Sequence, residues 1–542
     1  MRIRSRKNLK KKNSAIVFLF LLPLIGMGAY AGFLVYILDD IASFTLELEP
    51  PNMEQFYPLE NISMTALQEL AETYEWRMEN FSMPANISVD YRFKSYAYNE
   101  VKEWAGTDNG ALHVGETLAA ECLRYKWAMD NNEPIHLQNA TRIIKKCVTA
   151  LNNMIAAPNG GLGINPETGQ YFPGTLSRFA VPPGYQNIHP FMYDLDPRHF
   201  NGTGAYDQWR VRLYTSRDEV AGYYISWASV LKYVTGEDDD SKWCVEHVKT
   251  QVAQVIEGFK HTNWLILGGD GNPVGSDLNP IFEGSTWQLT LLRIGATAWP
   301  EKYTSLYNYV ASKLGGLDSA TMGSLWNSDE DYYAYSFGVH VMFSLCILED
   351  NPLLQYHYIK NYVNNLHRLV RYHRNAYYNM VYLALMSLLS GNQRAGFENS
   401  EYTFENYEYD ILDQLWRFQA SGWDEGVRQY NLTTRPHSTR ATSLNPEIAQ
   451  REIISTKQYW RNFFDTNMLG PLYSWVGEDL FHFDEELYKL PRTVSETGSD
   501  HFFWGSNPFK DEGGNPNSNG LWESPANGFL LPYWMGKAFD IF

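Results

Sequence analysis

Residues 215–234 read TSRDEVAGYYISWASVLKYV, a polar start followed by an amphipathic run. Ser216 followed three residues later by Glu219 is the pattern of a capping box, in which each side chain satisfies one free backbone N–H of the first helical turn. Asp218 lies in the same turn, where the helix dipole favours a carboxylate. The stretch predicts a helix start at Ser216 and leaves Arg217 without a helical explanation, because the dipole disfavours a cation there.

Helix-period patterns recur along the chain with short polar breaks, whereas strand-like alternation is scarce. The segments with this pattern, which we predict to be helices, are 63–80, 112–130, 137–157, 216–235, 241–261, 284–298, 301–314, 331–349, 353–372, 375–390, 402–420 and 526–540. Taken as pairs, with the first helix joined to the last, they form six hairpins. The sequence therefore predicts an all-α fold, an (α/α)6-type toroid of helical hairpins with long rim loops. An open bundle or superhelix has nearly the same pattern.

Long stretches rich in Gly, Pro, aromatic and polar residues separate some of these helices. They span residues 158–214, 262–282 and 421–525. Loops this long inside a compact protein are usually functional or disordered, and their aromatic content argues against disorder. We expect them to gather at one end of the helices and roof a cleft.

The N-terminus carries a candidate membrane anchor. Residues 15–38 are 24 largely apolar residues without a charge, enough to cross a bilayer with some tilt. Seven Lys and Arg residues precede them, and Asp39 and Asp40 follow. The positive-inside rule then places the N-terminus in the cytoplasm and the bulk of the chain outside, as a single-pass cell-membrane protein. A cleaved signal peptide is the alternative, but a clear small-residue cleavage pattern is lacking.

This topology divides the 542 residues into four parts. They are a basic cytoplasmic tail (1–14), the transmembrane anchor (15–38), a stalk with the first helix (39–109) and a helical toroid ectodomain (110–542). The formal net charge of −18 includes the basic tail, so the remainder is strongly acidic. Such a chain offers no basic face for phosphates, which excludes nucleic acid as a partner.

Sequons and cysteines fit an extracytoplasmic setting. The Asn-x-Ser/Thr sequons are Asn61, Asn80, Asn86, Asn139, Asn201 and Asn431, although each alone can arise by chance. The four cysteines form no CxxC motif, which excludes common zinc fingers and c-type haem. An antiparallel hairpin of residues 112–130 and 137–157 would bring Cys122 close enough to Cys147 for a disulfide. Two small buried thiols are the equal alternative.

Aromatic residues make up 15% of the chain, with 17 Trp and 37 Tyr. In extracytoplasmic loops such side chains stack on sugars, because the C–H face of a pyranose is apolar. Burial between helices is the alternative for each of them. The candidates are Trp209, Trp264, Trp287, Trp326, Tyr332, Tyr333, Tyr335, Trp423, Trp504 and Trp522.

Glycoside hydrolysis needs two carboxyl groups on opposite sides of the scissile bond. The carboxylates flanked by Trp, Gly or Arg are Asp108, Glu116, Asp218, Asp424, Asp500 and Glu523. We predict Asp218, Asp500 and Glu523 as catalytic residues. A solvated surface position is the alternative for each.

A second group of polar residues suits a different reaction. His373, Asn375 and Tyr377 stand at the entrance of an apolar helix, and His340 lies on the preceding hairpin. With a nearby Arg, such groups could catalyse β-elimination on a uronate. One polar group would neutralise the uronate carboxylate, while Tyr or His takes and returns the proton. Asn375 is also a fair helix cap.

We predict no metal and no cofactor. Asp270, Asn272 and Asp277 lie in a Gly-rich loop, but neither their spacing nor a terminal Glu matches a calcium loop. HExxH, GxSxG, GxxxxGK[ST] and a strand followed by GxGxxG are absent from the sequence. Metalloprotease, serine esterase, P-loop and dinucleotide-binding functions therefore lack their markers.

Short blocks of the sequence resemble a known group of proteins. They are GTLSRF (174–179), YTSRDE (214–219) with Gly222, WGSNPF (504–509) and LPYWMG (531–536). As a set they look like blocks of uncharacterised membrane-anchored proteins with a six-hairpin glycosidase-like toroid. The resemblance implies that fold and a carbohydrate-related setting, and it brings no established catalytic residues. Related chains often have Asp-Gln or Ser-Asp-Gln where this one has Arg217-Asp218-Glu219, which puts an identical chemistry in doubt.

These observations favour an extracytoplasmic protein that acts on carbohydrate, most similar to a glycoside hydrolase. A non-catalytic surface protein that binds glycan or a partner chain is one alternative, and a polysaccharide lyase is another. The predicted substrate-binding residues are Arg178, Arg217, Trp287, Tyr333, His340, Asn375, Tyr377 and Trp504. The expected partners are a glycan or polysaccharide and, through the N-terminal helix, the membrane.

Overall fold

Helices make up most of the chain that the computed structural model describes, which comprises residues 62–105, 107–278, 284–313, 332–400, 402–418, 453–455, 486–488, 491, 503–509 and 521–542. The helices are α1 Met64–Arg77, α2 Gly110–Asp130, α3 Pro134–Asn159, α4 Arg217–Tyr233, α5 Asp239–His261, α6 Gly284–Ala298, α7 Pro300–Lys313, α8 Tyr333–Leu348, α9 Pro352–Asn361, α10 Arg368–Val370, α11 Ala376–Ser387, α12 Gly391–Ala395, α13 Phe404–Trp416 and α14 Asn527–Ala538. The strands are β1 Asp90–Phe93, β2 Val101–Ala105, β3 Phe179–Val181, β4 His199–Asn201, β5 Arg210–Arg212, β6 Leu265–Leu267, β7 Pro273–Asp277, β8 Ile453–Ser455, β9 Glu486–Tyr488 and β10 Trp522–Glu523.

Every predicted helical segment overlaps a helix of the structure, so the prediction of a mainly helical fold is confirmed. The predicted helix 353–372 is interrupted by a π-helical turn, Tyr362–His367. The short strands were not expected, because stretches of three to five residues carry too little alternation to be recognised.

The predicted anchor, residues 15–38, lies outside the described ranges. Within those ranges no helix has the length and apolarity needed to span a membrane.

Buried and half-exposed helices alternate along the chain. Most positions of α2, α4, α6, α8, α11 and α14 are buried, as expected for helices covered on all sides. The helices between them, α3, α5, α7, α9 and α13, bury one face and expose the other. The alternation sorts the helices into an inner and an outer set.

The inner helices pack against one another. α2 contacts α4 and α14, α4 also contacts α6 and α8, α8 contacts α6 and α11, and α11 contacts α14. Two glycines allow α2 and α4 to approach closely, since a Cβ on Gly115 would lie 2.1 Å from the carbonyl oxygen of Gly222. A larger residue at either position would push the two helices apart.

The first and last described segments are joined. β10, β1 and β2 form an antiparallel sheet in which Tyr91 lies opposite both Glu523 and Trp104. α1 contacts α14, and the indole N–H of Trp534 donates to Glu75 at 2.7 Å. Within 158–278, the antiparallel sheets β3–β5–β4 and β6–β7 structure two of the long excursions.

All four cysteines are buried free thiols, so the predicted disulfide between Cys122 and Cys147 is not formed in the structure. Burial raises the pKa of both thiols well above its usual value, because the apolar helix interface disfavours a thiolate. The structure thus contains the alternative, two small buried thiols.

Candidate functional site

A cluster of hydrogen-bonded polar side chains lies where four inner helices meet. We call it the central cluster, and it comprises His113 and Glu116 of α2, His340 of α8, Tyr377 of α11 and Asn527 of α14. None of the five is more than 2% exposed. They range from the first residue of α14, Asn527, to the middle of α8, His340.

Three of these side chains form a chain of hydrogen bonds. The Nε2 atom of His340 lies 3.1 Å from Oε1 of Glu116, and its Nδ1 atom lies 2.6 Å from the Tyr377 hydroxyl. When Nε2–H donates to Glu116, Nδ1 accepts the hydroxyl proton of Tyr377. Phenol, imidazole and carboxyl are thereby connected through one ring.

The second carboxyl oxygen of Glu116 is also engaged. The Asn527 side-chain amide donates to Oε2 of Glu116 at 2.5 Å, and Nδ1 of His113 lies 3.4 Å from the same oxygen. These contacts hold the carboxyl group in one orientation across three helices.

Burial controls the protonation of the cluster. It raises the pKa of Glu116 to about 7, although the hydrogen bond and the charge of His340 oppose the rise. Burial also lowers the pKa of His113 and raises that of Tyr377. A carboxyl group that titrates near neutral pH is suited to give and take protons, and such shifts are typical of functional sites.

The structure therefore unites His340 and Tyr377, two of the predicted substrate-binding residues. A third, Asn375, is the cap of α11, where its side chain accepts from the N–H of Tyr378 at 3.1 Å. Its amide also donates to the carbonyl of Trp504 at 2.9 Å. Trp504 itself is buried, and its indole donates to the Gly528 carbonyl at 2.6 Å.

Arg178, another predicted substrate-binding residue, lies at the start of α4. Arg178 donates to the carbonyl oxygens of Tyr214 and Asp108, each at 2.9 Å, and to the Ser216 hydroxyl. The Ser216 hydroxyl in turn donates to Asp218. Arg178 and Asp218 thus share one hydroxyl. Arg217 begins α4 and is half-buried.

Glu219 does not form the predicted capping box. Ser216 makes no capping hydrogen bond, and the Glu219 carboxyl instead accepts from the N–H groups of Ala111 and Leu112, at 2.9 and 3.2 Å. Burial raises the pKa of Glu219, against the opposing effect of Arg178. The carboxyl caps a neighbouring helix because α2 and α4 pack closely enough for it to reach.

Glu523 is fixed in a buried ion pair. Its carboxyl oxygens lie 2.9 and 3.2 Å from Nη1 of Arg77, and one accepts from the Tyr91 hydroxyl at 2.9 Å. Glu523 thus bonds to Arg77 and Tyr91, whereas Asp218 accepts from the Ser216 hydroxyl. Asp500 lies outside the described residues.

Two other predicted sugar-binding aromatic residues differ in exposure. Trp287 is buried against Tyr224, with ring centroids 5.8 Å apart. Tyr333 is 47% exposed and packs on Phe337 at 5.2 Å. Only Tyr333 of the two offers a ring face to solvent.

A cleft of about 650 Å³ opens between two of the long excursions. Its walls are residues 170–176, 257–259, 261–262 and 265–267 together with Lys302. Of the three segments expected to roof one cleft, 158–214 and 262–282 border this one, and most of 421–525 lies outside the described residues. The Lys302 ammonium lies 4.5 Å from the ring centre of Tyr171 and 3.1 Å from Glu257. This size is typical of small-ligand sites.

Glu257, a carboxylate that lines this cleft, is held ionised. Burial would raise the pKa of Glu257, but hydrogen bonds from Lys260, Lys302 and Tyr303 outweigh it and lower the pKa. The cleft is therefore better suited to binding than to proton transfer.

The sequons differ in accessibility. Asn80 and Asn201 are exposed, and Asn86 and Asn139 are half-buried. Asn61 and Asn431 lie outside the described residues. Within the part of the chain that the structure describes, no group of three or more His, Cys, Asp or Glu is placed to hold a metal ion.

No family model, no curated protein and no solved structure matches this chain.

Sequence reasoning ranked Glu116 below other carboxylates and did not select His113 or Asn527. One signal was available: His113 and Glu116 stand three residues apart in the largely apolar first half of α2. Buried polar side chains need hydrogen-bonding partners. For Glu116 these partners are His340 of α8 and Asn527 of α14.

Proposed function

We propose that the protein is a carbohydrate-acting enzyme built on an (α/α)6-type toroid, with the central cluster as its acid–base centre. The helix contacts support the toroid. The buried helices α2, α4, α6, α8, α11 and α14 contact one another in chain order, and α14 contacts α2. Each also contacts a half-exposed helix, with α1 as the partner of α14.

The observation that carries the proposal is the Tyr377–His340–Glu116 chain of hydrogen bonds. It joins a phenol, an imidazole and a carboxyl group whose pKa is about 7. In the proposed elimination, the Tyr377–His340 pair removes the proton beside a uronate carboxylate. The C–H electrons form a C=C bond as the glycosidic C–O bond breaks, and the proton passes to the leaving oxygen.

Elimination fits this geometry better than hydrolysis. Hydrolysis needs a second carboxyl group across the bond, whereas Glu523 is bound to Arg77 and Asp218 to Ser216. A hydrolase on this scaffold would use Glu116 as its protonated acid. Because the cluster is buried, either reaction requires that substrate binding expose the Tyr377 hydroxyl.

The test compares wild type with Tyr377→Phe on a panel of polysaccharides that includes polyuronates. Both new reducing ends and near-ultraviolet absorbance are recorded. If wild type acts by elimination, it forms an unsaturated product that absorbs in the near ultraviolet. Tyr377→Phe should not form this product. Tyr309→Phe, at a side chain 60% exposed, is the matched control and retains activity. Reducing ends without absorbance would assign hydrolysis instead.

A second candidate function is non-catalytic glycan binding, and the complete burial of the central cluster favours it. The cleft beside Tyr171 and Lys302 would then hold the sugar. Oligosaccharide binding that is lost in Tyr171→Ala, with no turnover of any polysaccharide, would support this function over catalysis.

We further propose that residues 15–38 anchor the chain in the cell membrane, with the larger part outside. The uncharged apolar run and the basic residues before it support this topology. External protease should then remove the described part of the chain from intact cells, while a tag fused to the N-terminus stays protected.

A further inference from the structure

An exposed tryptophan lies beside a glycosylation sequon at the end of α1. Trp76 is 56% exposed, and Asn80 of the sequon Asn80-Phe81-Ser82 is exposed as well. The Nδ2 atom of Asn80 donates to the carbonyl oxygen of Trp76 at 2.7 Å. The atom to which a glycan would be joined therefore lies next to the residue whose indole is uncovered.

Phe81 places that indole on the sequon side of the helix. The rings of Trp76 and Phe81 meet edge-on, with centroids 5.4 Å apart and planes at 89°. Phe81 is itself held by the ring of Phe93, 5.3 Å away. One edge of the indole thus meets Phe81, and more than half of Trp76 remains exposed.

We infer that Asn80 carries an N-linked glycan whose first sugar packs on the exposed indole of Trp76. The apolar C–H face of a pyranose matches the indole, while the sugar hydroxyls stay in water. The inference rests on the proposed extracytoplasmic placement of this part of the chain.

The modification leaves the local hydrogen bond possible. An oligosaccharide linked to a lipid diphosphate is the donor, and its C1–O bond to the diphosphate breaks as the bond between C1 and Asn80 Nδ2 forms. One Nδ2 proton leaves with the diphosphate. The other N–H remains available to the Trp76 carbonyl.

The test uses the full chain produced in an N-glycosylating host. Mass spectrometry measures occupancy at Asn80, Asn139 and Asn201, and hydroxyl-radical labelling measures the accessibility of Trp76 in wild type and Asn80→Gln. We expect Asn80 to be occupied and Trp76 labelling to rise about twofold in Asn80→Gln, because the sugar covers one indole face. In Asn139→Gln, the matched control, Trp76 labelling should equal that of wild type.

The outcomes separate the two proposals. An unmodified Asn80 in a chain modified at Asn139 or Asn201 would overturn the inference and leave the topology standing. Equal labelling of Trp76 with and without the Asn80 glycan would overturn the packing on indole. A chain with no modified sequon would overturn both the inference and the extracytoplasmic placement.

Discussion

Nε2 of His340 lies 3.1 Å from Oε1 of Glu116, although the two residues are 224 positions apart in the sequence. Both side chains are fully buried. Burial penalises the charged form of Glu116, and the hydrogen bond with His340 opposes that effect. The pair therefore joins α2 to α8 and also tunes the Glu116 carboxyl group.

The first prediction concerns stability and pH. The pKa of Glu116 in the folded protein, about 7, lies above its ordinary value of 4.5. The stability contributed by its proton is therefore fully present below about pH 4.5 and is lost as pH rises through about 7, by about 3 kcal/mol. Glu116→Gln, which cannot ionise, should lack this loss.

The measurement is the midpoint of thermal unfolding of both proteins at about pH 4.5 and about pH 8. The unfolding midpoint of Glu116→Gln, relative to that of wild type, should rise as the pH rises. A difference that is the same at both pH values would show that Glu116 has an ordinary pKa in the folded protein.

A second prediction concerns the contact of α2 and α4. A Cβ on Gly222 would lie 2.5 Å from the Cα of Leu112 and 2.6 Å from the carbonyl oxygen of Ala111. Gly222→Ala should therefore destabilise the fold by about 3 kcal/mol or more. Nothing would lie within 4 Å of a Cβ on Gly391, so Gly391→Ala is the control, with an effect within about 1 kcal/mol. Equal unfolding midpoints for the two variants would refute the close packing.

Glu219 provides a third prediction. Glu219→Ala removes the carboxyl acceptor of the Ala111 and Leu112 N–H groups. The Ala111 N–H keeps the Arg178 carbonyl at 3.0 Å, so the loss falls on the Leu112 N–H, and a buried donor left without a partner costs about 1–3 kcal/mol. Glu219→Gln keeps one acceptor oxygen and should lose clearly less stability. Chemical denaturation of the two variants makes the comparison. If Glu219→Gln were as damaging as Glu219→Ala, the negative charge rather than the hydrogen bonds would stabilise α2.

A fourth prediction separates Glu523 from catalysis. Removing one partner of a buried ion pair leaves the other charge uncompensated, so Glu523→Ala should lose about 3–5 kcal/mol of stability. Replacing Arg77 as well, in an Arg77→Met, Glu523→Met double variant, should recover part of that loss. Unfolding midpoints measure the stability, and the turnover per folded molecule should stay that of wild type. A folded double variant without turnover would contradict this prediction and indicate that Glu523 takes part in catalysis.

Much of the helical fold followed from the sequence because a helix that buries one face repeats its apolar residues locally. The predicted segment 284–298 coincides with α6, and segment 216–235 contains α4. The short strands lacked such a signal. Their formation depends on pairing with distant segments, as β1 pairs with β10.

The candidate site was predicted only in part. His340 and Tyr377 were selected because their residue types suit proton transfer, and the structure joins them at 2.6 Å. Glu116 could not be ranked above Glu523 from sequence, since both are acidic residues in apolar surroundings. The neighbours decide the difference: an arginine neutralises Glu523, whereas a histidine and an amide surround Glu116.

The stretch from Thr215 to Val234 shows which features the sequence determines and which depend on the tertiary structure. By itself the sequence determined that a helix starts after Ser216, because apolar spacing and the preference for acidic residues in the first turn act over a few residues. Only the tertiary structure decided that Glu219 caps α2 rather than its own helix, through N–H groups more than one hundred positions away. Hydrogen bonds and charge pairing depend on distance in space, and the packing of α2 on α4 sets that distance.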